Sequence, residues 1–185
     1  MTEHTHTEDQ FVQALGKCRS LFADKLHDYG PSWRLLRPTS LTDQMAIKAR
    51  RIRTLETTKE AMVDEGILPE FIGLVNYGII GLIQLKHGYA DEVDMTNDEV
   101  ITLYTQYMEE TLALMKKKNH DYDEAWRQMR VSSYTDFILT KLQRVKEMED
   151  NPEEAKVSEG IDANYMDIIN YAVFGIIRLT EENDR

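Results

Sequence analysis

One cysteine, four prolines and nine glycines are all that 185 residues contain of the residue types that staple, break or loosen a chain. A lone Cys18 excludes an internal disulfide, and so little Pro and Gly excludes a collagen-like or low-complexity protein. Stretches of alternating polar and apolar residues are nearly absent, which leaves little to build a sheet from. No apolar run reaches bilayer length: residues 71–85 and 168–179 are each interrupted by Gly and polar side chains and read as buried helices. The opening MTEHTHTEDQ has neither the basic start nor the apolar stretch of a secretory signal. A cytoplasmic protein with no membrane partner is the expectation. Bases are also scarce, 22 Lys plus Arg against 33 Asp plus Glu, and a net charge of -11 repels phosphate backbones. Duplex nucleic acid is therefore not an expected partner, although a local basic patch can still hold a small anion. What is present is 42% hydrophobic residues, enough for a core of one ordinary domain or two small ones.

The chain repeats itself. Shifted by 93 positions, residues 25–56 align with residues 118–149, and thirteen of those 32 positions are identical. The matches include Trp33 with Trp126, the His-Asp-Tyr triplets at 27–29 and 120–122, and the pairs Asp43/Asp136, Lys48/Lys141 and Arg51/Arg144. One extra residue shifts the offset to 94, after which VDEGI (63–67) falls on VSEGI (157–161) and Asn76-Tyr77 on Asn170-Tyr171. The organisation this implies is a disordered tail over 1–10, a first helical repeat over 11–86, an acidic linker over 87–99 and a second repeat over 100–181. Each unit reads as three main helices from its apolar spacing. Pro69 suits the first turn of the third helix, and Asp162 stands where an N-cap would in the second copy. The HDYGPSW and HDYDEAW segments read as loops leading into a short helix. The third helix is apolar around most of its circumference and needs neighbours on several sides. The fold expected is all-α, a single helical bundle of two tandem homologous three-helix units related by a pseudo-twofold, with the third helices near the centre.

Three sets of side chains could carry chemistry. Glu159, Asp162, Asp167 and Asn170 fall within about 140° on a helix that begins near Glu159, and oxygen ligands so arranged suit Mg²⁺ or Mn²⁺. The alternative is an N-cap at Asp162, a dipole partner at Glu159 and a core amide at Asn170. Asp136, Lys141 and Arg144, with Asp43, Lys48 and Arg51 in the first unit, share one side of the middle helix and suit a triphosphate bridged to a metal, or else a salt-bridge lattice. The triplets His27, Asp28, Tyr29 and His120, Asp121, Tyr122, followed by Trp126 and Arg127 in the second unit, offer aromatic faces and edge-reading groups for a nucleobase, or core anchors. The charge is lopsided, -2 over residues 1–93 and -9 over 94–185. That fits a first unit that attracts phosphate and a second that holds metal in a common cleft, and equally fits solvated faces.

The K-x-x-D-Y-G element with its following Trp, the T-D-x-x-x-x-K-x-x-R helix and the E-G-I…D-x-x-N-Y-A helix together resemble the nucleotide modification associated domain 1 family, in two copies over nearly the whole chain. More remotely the pattern is similar to the MazG-like all-α nucleoside triphosphate pyrophosphohydrolases, which are Mg²⁺ enzymes and form dimers or higher oligomers. The resemblance places the family's residues on Lys25, Asp28 and Tyr29, on Lys118, Asp121 and Tyr122, on the Asp-Lys-Arg sets of the middle helices, and on Glu159, Asp167 and Asn170. Neither unit carries the intact E-x-x-E and E-x-x-D pairs of a MazG-like enzyme, and Asp123 stands where the first unit has Gly30.

The expectation is thus a protein of nucleotide metabolism or modification that hydrolyses a nucleoside triphosphate with Mg²⁺ or Mn²⁺. In that scheme Asp136, Glu159, Asp162 and Asp167 hold the metal. Lys48, Arg51, Lys141 and Arg144 hold phosphate, and Tyr122 or Trp126 faces the base. The alternative is a non-catalytic helical module that binds a nucleotide or a protein. No Glu-x-x-His helix motif occurs in either unit, which argues against a ferritin-like redox site.

Overall fold

The computed structural model describes residues 3–58, 66–153 and 160–185. Six α-helices run through them: α1 (Glu3–Tyr29), α2 (Pro38–Thr58), α3 (Leu68–His87), α4 (Asn97–Tyr122), α5 (Val131–Asp150) and α6 (Ile161–Asn183). A 3-10 turn precedes the middle helix of each unit, Ser32–Leu35 in the first and Ala125–Gln128 in the second. No strand occurs among the described residues. The two tandem three-helix units are therefore present, and α3 and α6 pack on each other at the centre. Both are flanked by the middle helices, α2 on α3 and α5 on α6, and α2 also meets α5.

Small residues let the central helices approach. A methyl group at Gly78 would lie 2.6 Å from Ile169, and one at Gly81 would lie 2.7 Å from the Tyr165 ring. Ile169 and Tyr165 are fully buried. α3 starts at Leu68 and ends at His87, longer than the apolar run implies; by length and composition it could span a bilayer, and it is mostly buried inside the bundle.

The first ten residues, expected as a disordered tail, instead belong to α1 from Glu3 onward. Thr7 is fully buried there, and its hydroxyl donates to Glu124 of the second unit at 2.6 and 2.7 Å. The acidic linker is shorter than read, because Thr96 caps α4 with a reciprocal box to Glu99 and starts the helix at Asn97. In α6 the cap position is Gly160, so Asp162 lies in the first turn and does not cap it.

The α2–α5 contact obeys the pseudo-twofold. Thr42 donates to Glu149 at 3.2 Å and Thr135 to Glu56 at 2.7 Å, and these are repeat-related pairs. Arg53 bridges Asp136 at 2.6 Å while Lys146 bridges Asp43 at 3.5 Å, again in matched positions. The 3-10 turns are pinned in parallel fashion from the third helices. Gln84 donates to the carbonyls of Trp33, Arg34 and Leu36, and Arg178 to those of Arg127 and Met129.

Candidate functional site

Each unit encloses its own cleft between its first helix, its 3-10 turn and its third helix. Helical periodicity explains the walls: residues spaced i, i+3, i+4, i+7 share one face. In the second unit those stripes are Met115, Lys118, Asn119, Tyr122 from α4 and Asp167, Asn170, Tyr171, Phe174 from α6. Their repeat partners Phe22, Lys25, Leu26, Tyr29 and Gly73, Asn76, Tyr77, Ile80 line the first cleft. Trp33 or Trp126 and Lys48 or Lys141 complete each wall. The first cleft has a volume of about 550 Å³ and the second about 320 Å³. The lysines and carboxylates expected to share a cleft between the units are divided between these two, and all the lining residues of each come from one unit.

The charges are arranged differently in the two. In the second cleft the buried Asp167 carboxylate lies between two ammonium groups, 2.5 Å from Lys118 Nζ and 2.9 Å from Lys141 Nζ. In the first, Gly73 takes the position of Asp167 and the Lys48 stem packs against it. The acid has moved one helical turn to the buried Glu70, which pairs with Arg51 at 2.9 Å and Lys48 at 3.4 Å. Lys25, the counterpart of Lys118, has no ion pair among the described residues.

A sharper difference is in the matched amides. Asn76 donates to the Cys18 carbonyl at 3.2 Å and accepts from the Tyr104 hydroxyl at 2.8 Å, so both of its polar atoms are engaged. Asn170 is 6% exposed, and neither its Oδ1 nor its Nδ2 has a hydrogen-bond partner among the described residues. The repeat accounts for the oxygen side of the contrast: the residue matching Tyr104 is Phe11, which has no hydroxyl to donate to Oδ1. Leaving such groups unpaired costs on the order of 1–3 kcal/mol each.

A second buried amide lines the same cleft. Asn119, 9% exposed, donates from Nδ2 to Glu124 Oε1 at 2.7 Å, and its Oδ1 is unpaired. Its counterpart in the first unit is the apolar Leu26. Glu124 is held in turn by Thr7, by the Trp126 indole N–H at 3.1 Å and by Arg127 at 3.0 Å. Burial works against its charge, but the hydrogen bonds from Thr7 and Asn119 with the nearby Arg127 outweigh it and hold its carboxyl below the usual range. Trp126 stacks on Phe174 with ring centroids 4.5 Å apart and lines the cleft, while Tyr122, 71% exposed, stands at its lip.

Of the residues singled out in the sequence, Lys118, Tyr122, Trp126, Lys141, Asp167 and Asn170 therefore meet in one cleft, and Lys25, Tyr29 and Lys48 meet in the other. Arg51 reaches the edge of the first through Glu70. The remainder go elsewhere. His27, Asp28, His120 and Asp121 point into solvent, each His paired only with the Asp beside it. They sit off the i, i+3, i+4 face that carries Lys25 and Tyr29, at the ends of helices and not in loops. Asp136 is spent on Arg53 across the pseudo-dyad, and Arg144 pairs with Glu147 along its own helix. Arg127 packs over Trp126 and bridges Glu124, behind the cleft. Asp162 is exposed and borders a separate depression near Leu82 and Tyr107, since five residues turn it about 140° away from Asp167. Glu159 lies outside the described residues. Asn119, Glu124, Tyr171 and Phe174 are the additions that sequence reasoning missed. The change from Leu26 to Asn119 between otherwise matching repeats was the available signal for the first of them.

Among the described residues the four expected metal ligands are not gathered: Asp136 and Asp162 lie away from Asp167, and Glu159 is outside the described residues. Asp167 is the one carboxylate lining the second cleft among the described residues, and it is already neutralised by two ammonium groups that would repel a cation. No cluster of three or more His, Cys, Asp or Glu side chains occurs among the described residues.

Comparison with known proteins finds a family model described as nucleotide modification associated domain 1, which matches residues 25–85 and again residues 118–179. No curated protein and no solved structure matches the chain, and the likeness to MazG-like enzymes gains no support there.

Proposed function

Since the chain belongs to the nucleotide modification associated domain 1 family, in two copies over more than half its length, we propose that it binds a nucleotide in the second cleft. The observation that carries this is the buried, unpaired amide of Asn170 in a cleft that also presents two lysines and exposed aromatic surface. An amide can bind a base edge with one donor and one acceptor. Tyr122 at the lip supplies a face for stacking. Lys118 and Lys141 supply positive charge for phosphate oxygens, and Asp167 holds both ammonium groups in place before a ligand arrives.

The first cleft is the weaker candidate, because its amide is already engaged and its second amide is replaced by Leu26. One nucleotide per chain is the expected stoichiometry. Binding without hydrolysis is the reading we favour, since Asp167, the one carboxylate lining the second cleft among the described residues, is already paired with two ammonium groups.

Titration calorimetry with nucleoside mono-, di- and triphosphates tests the reading. A saturable heat is expected for wild type, with its loss in Asn170→Leu. Replacing an unpaired buried amide by an isosteric apolar group should also raise stability by about 1 kcal/mol or more, read by urea unfolding. The reading fails if no nucleotide binds, or if Asn170→Leu binds like wild type. Pyrophosphate release with Mg²⁺ present is the separate assay for turnover, and it should stay at background.

A further inference from the structure

The hydrogen-bonding groups left free in the second cleft specify more than a nucleotide. Three buried polar atoms await partners: Oδ1 and Nδ2 of Asn170 and Oδ1 of Asn119. The orientation of Asn119 is fixed chemically. A carboxylate only accepts hydrogen bonds, so the atom facing Glu124 at 2.7 Å is the NH₂ group and the carbonyl oxygen is the free one. The orientation of Asn170 does not matter, because both of its atoms are free. The cleft therefore offers two acceptors and one donor group from two adjoining walls, α4 and α6.

From this set we infer that the second cleft selects a nucleobase with an exocyclic amino group next to a ring acceptor or lactam, and rejects bases that carry only oxo groups there. The inference rests on the nucleotide reading above. Cytosine and adenine pair one amino hydrogen and the neighbouring ring nitrogen with the Asn170 amide, and the second amino hydrogen is available to Asn119 Oδ1. Guanine satisfies the same three atoms through O6, N1–H and the amino group. Uracil, thymine and hypoxanthine can engage Asn170 in the same bidentate way. The group that then faces Asn119 Oδ1 is an oxo oxygen or, for hypoxanthine held as guanine is, the C2–H, and neither brings a polar hydrogen. A site built to bond a polar hydrogen discriminates strongly against an analogue lacking it, because its own group is left unpaired.

The first unit supports the assignment by contrast. There Leu26 takes the place of Asn119, so the second acceptor is absent where the first amide is already engaged. Two changes that remove recognition coincide in one copy, and both recognising groups coincide in the other.

The experiment compares pairs of ligands that differ only in this group: cytidine against uridine monophosphate, and adenosine against inosine monophosphate, each titrated into the full-length protein. The amino member should bind roughly ten-fold or more tightly in each pair. Asn119→Leu, which installs the side chain its repeat partner carries, should bring each pair within about two-fold, with a melting curve confirming that it is folded. Equal affinities in wild type, or a preference that survives in folded Asn119→Leu, overturn the inference while leaving the nucleotide reading intact. No binding by any of the four overturns both. The wild-type comparison alone decides the matter if the variant does not fold.

Discussion

Asp123 adopts φ of +47° and Glu124 φ of +61°, left-handed conformations that cost an L-residue roughly 1 kcal/mol each. The first unit solves the same turn with Gly30 at φ of +63°. Asp123 has no hydrogen bond or ion pair among the described residues to offset this, so Asp123→Gly should stabilise by about 1 kcal/mol, a rise of about 2–4 °C in Tm for a chain of this size. Glu124 differs, because its carboxylate collects four partners and orients Asn119. Two other acids are perturbed in the opposite sense. Burial raises Glu56 and its repeat partner Glu149 above the ordinary 4.5, against the lowering effect of the Thr135 and Thr42 hydroxyls. A carboxyl with a raised folded pKa is best tolerated protonated. Its contribution is most favourable below 4.5 and is lost as pH rises through the raised value. Glu56→Gln and Glu149→Gln, which keep an acceptor for the threonines, should accordingly raise Tm at pH 7 and show no gain at pH 4. A gain that is the same at both pH values would refute this origin.

Among the helices, the central pair sets the spacing of everything else. α3 and α6 approach closely at Gly78 and Gly81, and Tyr165 fills the space that Gly81 leaves while its hydroxyl meets Thr42 at 2.6 Å. The ring is fully buried and cannot swing clear. Gly81→Val should cost about 1–3 kcal/mol by overpacking, measured by denaturant unfolding. Because α3 and α6 each carry one wall of a cleft, a shift between them moves Asn170 and Asn76 as well. The element boundaries also show what spacing alone conveys. The stripes at 115, 118, 119, 122 and at 167, 170, 171, 174 follow from 3.6 residues per turn, and the period identified the helices. It does not say which stripe faces a cleft: His120 and Asp121 lie in solvent, while Asn119 and Tyr122 on either side of them line the wall.

Across the whole molecule, the first helix of each unit reaches the third helix of the other. Tyr104 of the second unit bonds Asn76 of the first, and Phe11 of the first stacks edge-on against Phe174 of the second with centroids 5.8 Å apart. Each cleft is therefore tuned from the opposite unit. Phe11→Tyr should install beside Asn170 the hydroxyl that Tyr104 presents to Asn76, and weaken nucleotide binding roughly ten-fold as the free amide is engaged. Calorimetry checks it, with the unfolding curve showing that the loss is not one of fold. A Phe11→Tyr protein that binds like wild type would mean that Asn170 is not the recognising group.

The sequence by itself determined the repeat, the all-α character, the helix count and part of each cleft, Lys118, Tyr122, Trp126, Lys141, Asp167 and Asn170 in the second and Lys25, Tyr29 and Lys48 in the first. Those depend on local periodicity and on similarity between two stretches of chain, which are properties of sequence. Tertiary structure decided which charges cancel. Asp136 was lost to Arg53 and Asp167 was claimed by two lysines, because ion pairs form between residues 26 to 83 positions apart that only packing brings together. It also decided which amide was left free. Asn76 and Asn170 are identical in sequence and in repeat position, and one thing that separates them is the residue arriving from the other unit, the tyrosine whose hydroxyl meets Asn76 and the phenylalanine that stands in its matching position.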